Sequence, residues 1–358
     1  MMVAEMMEAK PQVSASLPSV TVLADTTPSP GWAEAVALAD GWNPLFSSAA
    51  WAHYLQRWAG CEPRFVSVYA EHGARLATWM VFLTELSTFR RGWKRFACRP
   101  LKKLAQEAVW FAPPALRDPR DAAAVSCALV EFLQRTATQR PFLHVAGGPW
   151  LPGAETPFRT VRWATYIVDC QGSEEALWRR LKPSARKSIR KAQDRGLTVR
   201  RLASREEMPP YIQFAKRAAR ASGRTLSGQP DLLMAWDCLR EQACLEFFVA
   251  ELRGECVSAL GVRGQGVWVS EFGSYQSLRD RTERLHAQDL IKWEVIRWAR
   301  RCGLRYMDLA GVNPEPATAK ERGIRQFKEK WGGRYVEFPQ VQRQWVCSWA
   351  RRRKGVAA

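Results

Sequence analysis

The sequence is short of what metal and disulfide chemistry require. Its nine cysteines are odd in number and include no C-x-x-C pair, and its four histidines include no H-x-x-x-H. A disulfide framework and a zinc site are therefore disfavoured, and a reducing cytoplasm is the expected setting. No apolar run approaches the roughly 18 residues that span a bilayer, and no G-x-S-x-G nucleophile elbow is present. The opening stretch carries acids and prolines in place of a positive flank and apolar core. Residues 1–18 therefore read as a loose tail rather than a secretory signal.

What is present describes a folded protein. Apolar residues make up 47% and charged residues 25% of 358 positions, which excludes disordered, collagen-like and coiled-coil chains. The length suits two domains, each large enough to bury a core without staples. Lys and Arg exceed Asp and Glu by 19. Such an excess favours nucleic acid, phosphorylated metabolites or an anionic membrane surface as partner, against the plainer reading of a basic solvated surface.

A weak internal duplication organises the chain. Phe65 to Leu83 reads as a β-hairpin about His72-Gly73, and Phe247 to Gly273 as three strands with turns at Arg253-Gly254 and residues 264–266. A helix precedes each set, Ser48 to Trp58 and Pro209 to Ala221, and another follows, Asp121 to Gln139 and His286 to Arg301. Each following helix leads into a short strand, Pro141 to Gly148 and Leu304 to Gly311. The fold class is α+β, two domains of shared layout, each a mainly antiparallel mixed sheet flanked by helices. Glycine and proline cluster over Gly147 to Thr160. They divide a first domain, 19–160 completed by 337–358, from a second, 161–336. Two short basic helices follow the divide, capped by Ser173 and by Ser184.

Three basic segments could hold a polyanion. Trp178 to Arg195 contains eight cations; Arg186 and Arg190 share one helix face and Lys191 lies on the adjacent one, a strip able to follow phosphates or simply a solvated face. Phe89 to Lys103 interleaves Phe89, Trp93 and Phe96 with seven cations, as a nucleotide-stacking surface or as core aromatics beside a basic loop. In WVCSWARRRK, Trp345 and Trp349 either pack a final helix onto the first domain or rest at an anionic membrane interface.

The segment Tyr306 to Phe338 concentrates chemistry. A strand ending at Asp308 leads through a Pro/Gly stretch to a loop-like run that sets Arg325, Phe327, Lys328 and Lys330 beside the glycine pair 332–333. A lysine there can neutralise phosphate or a developing oxyanion. Asp308 and Glu271, both read as lying at strand ends, are candidate proton acceptors or structural carboxylates.

The runs RKSIRKAQDRG, LIKWEVIRWARRCGLRYMDLAGVNP and GIRQFKEKWGGR resemble the Fem-type aminoacyltransferases FemA, FemB and FemX. The resemblance covers most of the second half and, in layout alone, the first. It implies two tandem GNAT-like domains, without the helical hairpin some members insert in the second. It also implies transfer of an amino acid from aminoacyl-tRNA to a side-chain amine of a peptidoglycan precursor, with no cofactor. By resemblance Lys328 steadies the tRNA phosphates and the tetrahedral intermediate, Phe327 shapes the channel, and Arg224 meets acceptor phosphates. Aminolysis of an activated ester requires an aligned carbonyl, a free amine and positive charge at the oxyanion. Two rival readings are a GNAT-related N-acyltransferase using acyl-CoA, and a non-catalytic nucleic-acid-binding protein. The stretch Ser277 to Asp289 has no glycine, so it lacks the Gly-rich turn that holds a CoA pyrophosphate. A cytoplasmic monomer, with peripheral membrane contact as the alternative role of its C-terminus, completes the expectation.

Overall fold

A computed structural model describes residues 19–38, 41–86, 105–136, 142–223, 231–242 and 244–346. The expected basic patch at 89–103, Arg224 and Trp349 lie outside the described residues.

The first unit runs β1 (Val20–Asp25), α1 (Trp32–Leu38), α2 (Ala49–Ala59), β2 (Glu62–Ala70), β3 (Arg75–Glu85), β4 (Ala105–Val109), β5 (Ala115–Leu116), α3 (Ala122–Thr136) and β6 (Phe142–Val145). After β7 (Gly148–Pro149) and β8 (Thr160–Asp169) come α4 (Glu174–Arg180), α5 (Pro183–Asp194), β9 (Leu197–Arg201), α6 (Met208–Ala221) and α7 (Leu232–Leu239). The antiparallel trio β10 (Cys244–Leu252), β11 (Glu255–Gln265) and β12 (Trp268–Gln276) is followed by α8 (Leu278–Thr282), α9 (Ala287–Arg301) and β13 (Tyr306–Val312). The chain closes with α10 (Ala319–Glu329), β14 (Arg334–Val341) and β15 (Gln344–Val346).

Two sheets result. One is ordered β1-β2-β3-β4-β6-β15, with β5 on β3; the other is β7-β14-β8-β13-β12-β11-β10-β9. Each contains one parallel pair joined through a helix, β4–α3–β6 and β12–α9–β13. The duplication legible in the sequence is thus a repeat of strand–helix–strand crossovers on antiparallel sheets.

Local chemistry explains the elements. Ser48 caps α2 by accepting from the Trp51 amide (3.1 Å), and Gly60 ends the helix in the left-handed region at φ 62. Val125, Leu129 and Leu133 repeat at i, i+4, i+8 along α3 and are buried in the first core. Ile291, Val295 and Trp298, at i, i+4, i+7, line the buried face of α9 in the second. A third core joins the units: Trp51, Tyr54 and Leu55 of α2 meet Tyr211, Trp236, Phe247 and Phe272 of the second unit. Each such fully buried large side chain contributes about 1.5–3 kcal/mol.

Several local expectations are corrected. Ala319–Glu329 is a helix where the sequence reads as a loop. Its start is a capping box, with the Glu321 amide donating to Thr318 Oγ1 (3.2 Å) and the Thr318 amide to Glu321 Oε2 (3.0 Å). Helix α5 is preceded by Lys182, with Pro183 in its first turn and Ser184 already inside. Trp345 sits in a strand on β6, not in a helix. No helix among the described residues is long and apolar enough to cross a membrane.

Candidate active site

The two parallel pairs end differently. Strands β12 and β13 pair only over Trp268–Ser270 and Tyr306–Asp308, then part. In the first unit β4 and β6 also part, but Trp110 bridges onward by donating from Nε1 to Pro149 O (2.7 Å). Trp79 packs edge-on against it at 5.1 Å and Trp150 lies tilted at 5.7 Å. A Cβ on Gly148 would lie 2.4 Å from the Trp110 ring, so only glycine allows that closure. The parting in the second unit is lined instead by charge.

Backbone irregularities flank it. Register shifts fall between Leu260 and Val262 on β11 and between Asp308 and Gly311 on β13, where Ala310 takes φ 62. The bulge leaves the Ala310 and Gly311 carbonyls to accept from Lys328 Nζ of α10, at 3.0 and 2.9 Å. Asp308 and Glu271 therefore lie inside strands, not at their ends as read from sequence; both flank the point of divergence.

Side-chain alternation assigns them to opposite faces. Asp308 is in register with Ser270 and faces the first unit. It accepts from Thr165 Oγ1 (2.5 Å) and from the Ala310 amide (2.9 Å). Burial pushes its carboxyl above the usual range, opposed by those two hydrogen bonds. Glu271, paired with Val262, faces α9, where Lys292, only 1% exposed, forms an ion pair with it. Phe327 of α10 covers this pair, its ring 5.4 Å from Lys292 Nζ and 4.2 Å from Lys330 Nζ. Burial lowers the Lys328 ammonium, while Glu271 pulls it back up, Lys292 lowers it further and Asp308 raises it.

The other expected residues are more peripheral. Arg325 turns back to donate to Pro314 O (2.8 Å) beside the Tyr335 ring. Arg186 donates to the Trp178 and Arg179 carbonyls (3.4 and 3.2 Å), Arg190 stacks 5.6 Å over Trp178, and Lys191 is exposed. The strip starts where α10 ends: the Lys182 amide donates to Lys330 O (2.9 Å) and its ammonium pairs with Glu329 (2.8 Å). The structure thus unites Lys328, Phe327, Asp308 and Glu271 and leaves the α5 cations on the adjoining flank. Sequence reading missed Lys292, although a lysine inside the apolar stripe of α9 is a visible anomaly. It also missed Thr165, whose role exists only through strand pairing.

The start of α9 is already furnished with carboxylates. Asp280 Oδ1 accepts from the Ala287 amide (3.2 Å), and Asp289 in the first turn pairs with Lys330. Among the described residues no group of three or more His, Cys, Asp or Glu could hold a metal.

Residues 179–329 match the acetyltransferase (GNAT) domain family. Among solved structures the chain resembles FemX, with a TM-score of 0.63 at 13% identity over 86% of this chain and 94% of that one. A tandem GNAT protein from the clavulanic acid biosynthesis pathway gives 0.51 at 12% identity, covering 92% and 99% of the two chains. L-PGS from Bacillus licheniformis gives 0.50 at 13%, covering 88% and 92%. No curated protein matches in sequence. The protein therefore has a tandem GNAT fold like that of FemX, and the stretch of its second unit over residues 179–329 is similar to the GNAT acetyltransferase domain.

Proposed function

We propose that the chain is an aminoacyltransferase that takes an amino acid from aminoacyl-tRNA and forms a peptide bond on an amine of a peptidoglycan precursor or similar acceptor. The carrying observation is Lys328 at the parting of β12 and β13. An ammonium has three N–H donors, and Lys328 spends two on the Ala310 and Gly311 carbonyls. The third is left to meet an oxyanion formed at the strand ends.

The reaction balances without further components. The acceptor amine attacks the ester carbonyl, the C–N bond forms, the C–O bond to the tRNA ribose breaks, and the ribose oxygen leaves as a hydroxyl. Asp308 takes the amine proton, its burial having raised its affinity for one, and returns it to the departing ribose oxygen. Phe327 excludes water from the Lys292–Glu271 pair beneath. The cations of α5 lie where a polyanionic donor would extend from the site.

The similarity to the acetyltransferase (GNAT) domain family favours a second reading, an acyl-CoA donor. Against it stands the start of α9. A pyrophosphate there would meet Asp280 and Asp289 and an amide already engaged.

Incubation with a mixture of charged tRNAs, and separately with acyl-CoAs, discriminates the two. Product formed from charged tRNA and abolished by ribonuclease is the expected result. Product from acyl-CoA that survives ribonuclease would overturn the tRNA assignment and leave acyl transfer standing.

A further inference from the structure

Arg263 on β11 is a half-buried cation held among aromatic rings. Its guanidinium carbon lies 4.1 Å from the Phe272 ring centre, 4.5 Å from Trp51 and 5.1 Å from Phe46. Two of these rings belong to the first unit, so the cage closes only across the seam between units. Nε is buried with no partner. Burial pushes the group down to about 10, with Tyr54 and Asp308 acting in the opposite direction, so it is charged at neutral pH. Ring faces attract a cation but accept none of its in-plane hydrogen bonds, and the buried Nε–H is left to be satisfied.

Its place in the sheet is equally specific. Arg263 is in register with Ser270, and Ser270 with Asp308, so the three share one face in a row across β11, β12 and β13. Two strand spacings separate the ends of that row, about 9.5 Å. Asn43 of the first unit seats the row, donating to Arg263 O (3.2 Å) and Ser270 Oγ (2.9 Å).

We propose that Arg263 is an anion anchor of the acceptor site, holding a carboxylate or phosphate on a molecule whose amine reaches Asp308 and Lys328. A planar guanidinium offers paired N–H donors to either oxyanion, and the rings fix its plane. The acceptor is then an amine that also carries an anionic group several bonds away. Its role in catalysis rests on the acyl-transfer reading; the binding itself does not.

The full chain labelled with 15N-arginine tests this without any donor. The Arg263 Nε–Hε resonance is assigned by its loss in Arg263→Lys, or, if that variant does not fold, by its displacement in Phe46→Leu. Inorganic phosphate and N-acetylglycine are titrated separately at constant ionic strength against chloride. A saturable shift of this resonance with one or both anions, and not with chloride, is expected. Response to phosphate alone assigns a phosphate-bearing acceptor, and response to N-acetylglycine alone a carboxylate-bearing one. No shift with either overturns the anchor and makes Arg263 a stitch between the units, leaving the acyl-transfer reading intact.

Discussion

Lys292 and Glu271 are joined in a buried ion pair at the point where β12 and β13 separate, with the ring of Phe327 over it. Neither side chain is exchangeable alone. Removing one partner leaves a desolvated charge, so Glu271→Gln and Lys292→Met should each lower stability by about 3 kcal/mol or more. The double substitution should recover most of that loss, because a neutral pair leaves no unpaired charge. Urea unfolding of the three variants checks this; additive losses in the double variant would contradict the pairing.

Lys328→Ala should leave the fold intact and lower transfer by about 100-fold to 1,000-fold, the usual effect of deleting one oxyanion donor. The two carbonyls it satisfies lie near solvent, so the stability change should stay near about 1 kcal/mol. Near-normal turnover in a folded variant would remove Lys328 from the mechanism.

The pH profile of transfer should be a bell with both limbs drawn inward. Asp308 accepts a proton only when ionised, and burial has raised it above 3.8, so activity climbs with pH through that raised value. Lys328 acts only when charged, and burial has lowered it below 10.5, so activity falls as pH passes the lowered value. Stability carries a matching sign for Asp308. Folding raises its proton affinity, so stability relative to Asp308→Asn should decrease as pH rises from 3.8 through the folded value. Urea midpoints measured across that window that move the other way would show that the carboxyl is not raised.

Arg186, Arg190 and Lys191 are predicted to act on donor binding and not on the fold. The combined change Arg186→Gln, Arg190→Gln, Lys191→Gln should reduce the salt slope of tRNA binding by roughly 2 to 3. Stability should change by less than about 0.5 kcal/mol per site. Filter binding across a salt series reads the slope; an unchanged slope would place the donor elsewhere.

Gly332 holds φ 70, and a Cβ there would lie 2.4 Å from the Arg180 carbonyl oxygen. Gly332→Ala should therefore cost about 2–3 kcal/mol through strain and displacement of the α4 end. It should also lower activity by reseating Lys328, four residues earlier. A thermal melt with an unchanged midpoint would rule out the close approach.

The layout of this protein is legible in its sequence because it rests on local rules. Short apolar runs about His72-Gly73 and Arg253-Gly254, and the i, i+4 repeat of Ile291 and Val295, name strands and helices directly. The tandem arrangement follows from seeing those periods twice. Even α10 was readable, since Thr318 and Glu321 form a capping box, though the surrounding proline and glycine suggest a loop. The site was legible only in part. Lys328, Phe327 and Asp308 stand in one short segment, but that Asp308 is buried against Thr165, 143 positions away, is a fact of strand pairing. The same holds for Lys292 beneath Phe327 and for Arg263 inside rings contributed by another unit. Periodicity is written in neighbouring residues, whereas burial of a charge and the choice of its partner depend on which strands are adjacent, and adjacency is settled when the two sheets and their shared core assemble.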